Sequence, residues 1–132
     1  MKQYGLRPVI QSARTILEQL VAGLEELGVS RKIDNASGAF MAVCVERVEE
    51  TAHGPVYSVA HYFEQNEDLV ADPDVTLLRA LDGDFYPLSY QDARVYRLSV
   101  EIESDGGVRV DRARQADLAQ FVAGWMRKVK QQ

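Results

Sequence analysis

The sequence predicts an α+β fold: an antiparallel sheet of about five strands, with an N-terminal and a C-terminal helix packed on one face, in the order α-β-β-β-β-β-α. Three observations carry this. Apolar residues recur at helical spacing near both ends. Short runs rich in β-branched and aromatic residues, punctuated by Gly, Pro and Asp, fill the middle. The first two of these runs are joined by a connection that suits a hairpin and is too short for a parallel crossover. A chain of 132 residues, 46% hydrophobic, is expected to form one domain over residues 1–132 and to bury a core without staples.

The N-terminal helix rests on Val9, Ile10, Ala13, Ile16, Leu17, Leu20, Val21, Leu24 and Leu27, in steps that build one wide apolar stripe. Pro8 suits its first turn and Gly28 the left-handed residue after its last, which predicts a helix from about Pro8 to Leu27. Residues 29–38 are polar and rich in turn formers and read as a loop. Ala39–Val48 is apolar on both alternating faces at its start, the pattern of a strand covered on both sides. Thr51–Pro55 is a turn into a second strand, Val56–Phe63. Val75–Leu81 reads as a third strand ended by Asp82-Gly83-Asp84, and Phe85–Tyr90 as a fourth limited by Pro87. Arg94–Glu103 alternates, with Tyr96, Leu98, Val100 and Ile102 on one face. Asp105-Gly106-Gly107 turns into Val108–Val110. The closing helix shows Leu118, Phe121, Val122, Trp125, Met126 and Val129, with Asp111 as N-cap and Arg127, Lys128 and Lys130 where the helix dipole favours cations.

Charge narrows the classes of partner. The net charge is −5. Residues 46–105 carry four basic and fourteen acidic groups, whereas residues 106–132 carry six basic and two acidic. Nucleic-acid binding needs concentrated Lys and Arg, so the acidic middle argues against it. The expected partner is instead an unknown protein or a second copy of the chain, through an exposed strand edge or helix face. No apolar run approaches a membrane span. The first ten residues have no apolar core of the kind a secretory signal carries, and Cys44 is the single cysteine, so a cytoplasmic location is expected.

The densest polar stretch is His61–Asp74, which follows a strand and holds His61, Glu64, Gln65, Asn66, Glu67, Asp68, Asp72 and Asp74. A loop started by a rigid strand is a common place for binding groups. His61 and Glu64 with Asp68 or Asp72 could offer mixed nitrogen and oxygen ligands to a divalent ion, but the spacing matches no calcium loop. His61 beside a carboxylate could form an acid–base pair, with Cys44, Ser58 or Ser89 as nucleophile, yet no Gly-flanked serine elbow is present. No Gly-rich loop opens a helix, so phosphate binding of that type has no motif. The aromatic side chains, Tyr86 and Tyr90 among them, lie in the acidic block, where core packing and cross-strand pairing account for them.

The run His61-Tyr62-Phe63-Glu64-Gln65-Asn66-Glu67-Asp68, followed by Asp72-Pro73-Asp74-Val75, resembles the central motif of a bacterial domain family of unknown function. That motif reads approximately His-Tyr-x-Glu-Gln-Asn-Gly-Asp and then Asp-Pro. Tyr86-Pro87-Leu88-Ser89-Tyr90 is similar to the family's Tyr-Pro stretch, and Asp117–Phe121 with Trp125 to its last helix. The family is associated with bacterial, plasmid and phage genomes. Glu67 stands where it usually has Gly. The resemblance implies no reaction and no cofactor. The candidate binding residues are therefore His61, Glu64, Gln65, Asn66, Asp68, Asp72, Tyr86 and Tyr90. The expected function is a small interaction or regulatory module. The alternatives are a metal-assisted hydrolase or nucleotide-handling enzyme using residues 61–74, and an acidic accessory protein that blocks a host factor.

Overall fold

The computed structural model describes residues 1–33 and 42–130, with backbone alone at 63–65 and 68–71. At its centre, six antiparallel strands lie side by side in sequence order: β1 (Ser30–Ile33), β2 (Ala42–Thr51), β3 (Gly54–Gln65), β4 (Asp68–Arg79), β5 (Phe85–Gln91) and β6 (Tyr96–Leu98). A small second sheet pairs β7 (Val100–Ile102) with β8 (Val108–Val110). Helix α1 (Gln11–Val21) precedes the strands and α2 (Arg112–Val129) follows them. The α+β antiparallel class is as expected, with six strands in the main sheet where about five were predicted.

Strand alternation decides what each face buries. Tyr57 and Val59 of β3, Val43 and Val45 of β2, and Val75 and Leu77 of β4 enter one core with Leu17 and Leu20 of α1 and Val122, Trp125 and Met126 of α2. Both helices thus cover the same face, and each buried aliphatic side chain contributes roughly 1.5–3 kcal/mol. The reverse face carries a second cluster, which the sequence reading did not foresee. Val56, Leu78, Tyr86 and Leu88 are buried there beneath Met1, Leu6 and Val100. The N-terminal residues and the β7–β8 hairpin form this partial second layer. His53 Nε2 donates to the Gly106 carbonyl at 2.7 Å, and the edge of its ring meets Tyr4, so the β2–β3 and β7–β8 turns are fastened together.

Several boundaries move for identifiable reasons. Helix α1 starts at Gln11, after Pro8, because Val9 N–H donates to Phe85 O and holds the chain extended against β5. It ends at Val21, short of Leu27, because Gly23 takes a φ of +83° and Arg31 donates to the carbonyls of Gln19, Leu20 and Ala22. Those are orphan acceptors at the helix end. Arg31 belongs to β1, a strand inside the segment read as a loop. Arg31 and Ile33 turn toward α1 while Lys32 turns outward. The start of the predicted second element, residues 39–41, lies outside the described residues. The predicted strand Arg94–Glu103 splits at Ser99, whose N–H donates to Leu88 O and whose carbonyl accepts from Asp111 N–H. Tyr96 and Leu98 consequently stay exposed, whereas Val100 is buried. The closing helix begins as predicted, with Asp111 Oδ1 accepting from Arg114 N–H at 3.1 Å. Among the described residues, no helix is long and apolar enough to cross a membrane.

Candidate functional site

The stretch from His61 to Asp74 is a hairpin where a loop was expected. Gln65 pairs with Asp68 across a two-residue turn, in which Asn66 (φ +53°) and Glu67 (φ +71°) both adopt left-handed backbone. Two consecutive positive φ values mark the turn type that matches strand twist in tight hairpins. Farther along, Asp72 and Pro73 stand opposite the single residue His61 as a β-bulge. Proline at a bulge gives up no ladder hydrogen bond.

The hairpin sends its described side chains to opposite sides. His61 faces the helices and is 8% exposed; Trp125 Nε1 donates to its Nδ1 at 3.1 Å, with the ring planes at 79°. Nδ1 therefore acts as an acceptor here. Asp74 faces the reverse side, where its Oδ1 accepts from Ser58 Oγ at 2.6 Å. On that side, burial raises the Tyr62 hydroxyl above its ordinary pKa, with help from the charges of Asp74, Cys44 and Glu46. Asp72 is exposed. Among the described residues, no group of three or more His, Cys, Asp or Glu side chains could hold a metal ion. The side chains of Glu64, Gln65 and Asp68 lie outside the described set. Tyr86 is fully buried in the second core cluster, where its hydroxyl donates to Asp82 at 2.9 Å. Its place is in the core.

Tyr90, one of the predicted residues, lines a cleft. From His61 an aromatic ladder runs outward: His61 against Trp125, Trp125 stacked on Phe121 at 6.0 Å, and Phe121 edge-on to Tyr90 at 5.5 Å. It leads to a cleft of about 500 Å³ between the β5–β6 end of the sheet and the N-terminal half of α2. That volume lies in the range of small-ligand sites. Arg94, Arg97 and Ser99 line it on the strand side, and Arg114, Asp117 and Phe121 on the helix side. The helix residues fall at steps of three and four, so they share one face of α2.

Asp92 organises the cleft. Its Oδ1 accepts from the backbone N–H groups of Arg94 and Val95 at 2.8 and 2.9 Å, and its Oδ2 accepts from the Tyr90 hydroxyl at 2.8 Å. The Arg94 N–H, the Tyr90 hydroxyl and the Val95 N–H hold the carboxyl below the usual carboxylate range. Burial, the bond to Asp92 and the charges of Asp92 and Asp72 push Tyr90 up to about 12. Asp92 is committed to the turn, whereas Arg94 and Arg97 make no side-chain hydrogen bond or ion pair among the described residues. Arg114 makes a long contact to Leu98 O at 3.4 Å. Ser99 is 3% exposed, and its Oγ is the one buried side-chain polar atom without a partner among the described residues.

Sequence reasoning missed the arginines and Ser99 because they come from separate elements inside or beyond the block read as acidic. The one available signal was the alternation of Arg97 and Ser99 on the polar side of the Arg94–Glu103 run. Comparison with curated proteins found no match, and comparison with solved structures found none. The sequence pattern of one family, the domain of unknown function DUF6908, matches residues 11–132. The likeness therefore covers nearly the whole chain, including α1, which the resemblance noted above did not reach, and the chain belongs to the DUF6908 family.

Proposed function

We propose that the protein is a small interaction module that recognises its partner through the cleft between β6 and α2. The observation that carries this is the combination of two unspent guanidinium groups, Arg94 and Arg97, with an exposed aromatic wall, Phe121, on a frame already tied by Asp92 and Tyr90. A preorganised frame lowers the ordering cost of binding. Guanidinium groups without a hydrogen-bonded acceptor in their own protein are available to another molecule. The reading as a metal-assisted hydrolase draws less support, since the His61 ring is buried with its Nδ1 accepting from Trp125, whereas Asp72 is exposed.

A fragment screen read by amide NMR on the full chain tests the proposal. Shifts are expected to concentrate on Arg97, Ser99, Phe121 and their neighbours. Hits gathered on the reverse face around Thr76 and Leu98, with the cleft unperturbed, would overturn it.

A further inference from the structure

We infer that the cleft takes a small ligand in which an oxyanion is attached to a flat apolar body. The inference rests on the cleft being a binding site and adds the chemistry of what enters it. Three cations, Arg94, Arg97 and Arg114, line the cleft against two carboxylates, Asp92 and Asp117. Asp92 is saturated by three hydrogen bonds from its own turn. Arg114 lies 3.8 Å from Asp111 Oδ2, so Arg94 and Arg97 are the cations left for a ligand, in a molecule whose net charge is −5. Guanidinium groups bind carboxylate and phosphate oxygens through paired N–H donors, and these charge-assisted bonds are among the strong ones.

Ser99 supplies a second, independent observation. A buried hydroxyl normally has a partner, and leaving one unpaired costs free energy. Ser99 follows Arg97 by two residues and lines the same cleft. Among the described residues, its Oγ is the buried side-chain polar atom left without a partner, so it has a hydroxyl hydrogen bond to offer an oxyanion in the cleft. The apolar half of the ligand has its own wall. Phe121 is 41% exposed, Val95 is exposed beside it, and Leu118 closes the floor. Aromatic faces left open to water favour a planar partner. Asp117 stands on the helix wall one turn beyond Arg114, where its charge opposes an anion and selects where the anion sits.

The test uses the full chain and three probes of similar shape: phenyl phosphate, benzoate and neutral benzyl alcohol. Titration calorimetry with amide NMR should show an oxyanion binding at the cleft at least about tenfold more tightly than benzyl alcohol, the minimum expected of a charge-assisted pair. Tighter binding of phenyl phosphate identifies a phosphate-type ligand, and tighter binding of benzoate a carboxylate. Arg97→Gln should weaken the preferred oxyanion about tenfold, Ser99→Ala should weaken it by a smaller factor, and Asp117→Asn should strengthen it. Each variant is checked for an unchanged circular-dichroism spectrum. Equal binding of benzyl alcohol at the cleft overturns the oxyanion assignment and leaves the cleft as a recognition site. Absence of cleft shifts with every probe overturns both. A folded Arg97→Gln protein with undiminished oxyanion affinity also overturns the inference.

Discussion

Trp125 joins the core to the cleft. Its ring is 5% exposed, its N–H is satisfied by His61, and its face supports Phe121. Trp125→Ala should therefore cost roughly 3–5 kcal/mol, the range for emptying a large buried aromatic site. The urea midpoint reads this directly, and little change would place α2 off the core. Tyr90 makes a second prediction at the same scale. Its hydroxyl is held protonated up to about 12 by burial and by the carboxylates of Asp92 and Asp72. An acid whose folded pKa lies above its unfolded value of roughly 10 stabilises the fold below that pH, and the contribution is lost as pH rises through the folded value. The urea midpoint of the native protein should fall between about pH 10 and 12, and Tyr90→Phe should flatten that part of the profile. An identical slope in the variant would show that the Tyr90 hydroxyl adds nothing.

At the scale of elements, the β3–β4 hairpin shows what a sequence conveys and what it conceals. Asn66 reads easily as a turn residue, because asparagine tolerates the left-handed region. Glu67 does not, yet it holds a φ of +71°. A non-glycine residue there costs about 1–2 kcal/mol, partly offset by the larger entropy glycine loses on folding. Glu67→Gly should raise stability by about 0.5–1 kcal/mol. A drop in the denaturation midpoint would mean that the Glu67 side chain makes contacts outweighing the strain. The same conflict explains why the stretch was read as a loop: five carboxylates and two amides masked the strand pairing from Gln65↔Asp68 back to Ala60↔Asp74. Helix α2 was legible because Leu118, Val122, Trp125 and Met126 keep one period and Asp111 provides the cap. β1 was hidden because only Ile33 among its four residues is apolar, and its pairing with β2 is a tertiary fact.

At the scale of the whole molecule, the cleft shows why a site can escape a linear reading when its fold does not. Apolar periodicity is local, but Arg97, Ser99 and Arg114 meet only because the chain breaks at Ser99 and returns through β8 into α2. Charge counted by segment placed Arg94 and Arg97 in an acidic block, whereas the folded surface gathers them beside Arg114. The ends of the chain obey a similar logic. The family match begins at residue 11, yet the ten residues before it are built into the protein. Met1 and Leu6 are buried over the reverse face of the sheet, and Val9 is buried beside α1. Gln115 of α2, fully buried, accepts from Arg7 N–H and donates to Arg7 O, both at 2.8 Å, as a neighbouring strand would. Removing residues 1–10 would uncover Tyr86 and Leu78 and take both Arg7 partners from the Gln115 amide, leaving its Nε2 the long contact to Pro87 O at 3.4 Å and its Oε1 unsatisfied, which costs about 1–3 kcal/mol on its own. A chain of residues 11–132 should therefore be less stable than the full chain by at least one large core truncation, about 2–5 kcal/mol. Gln115→Leu in the full chain should reproduce only the hydrogen-bonding part of that loss. Equal urea midpoints for the short and full chains would show that the N-terminal residues rest on the sheet without holding it.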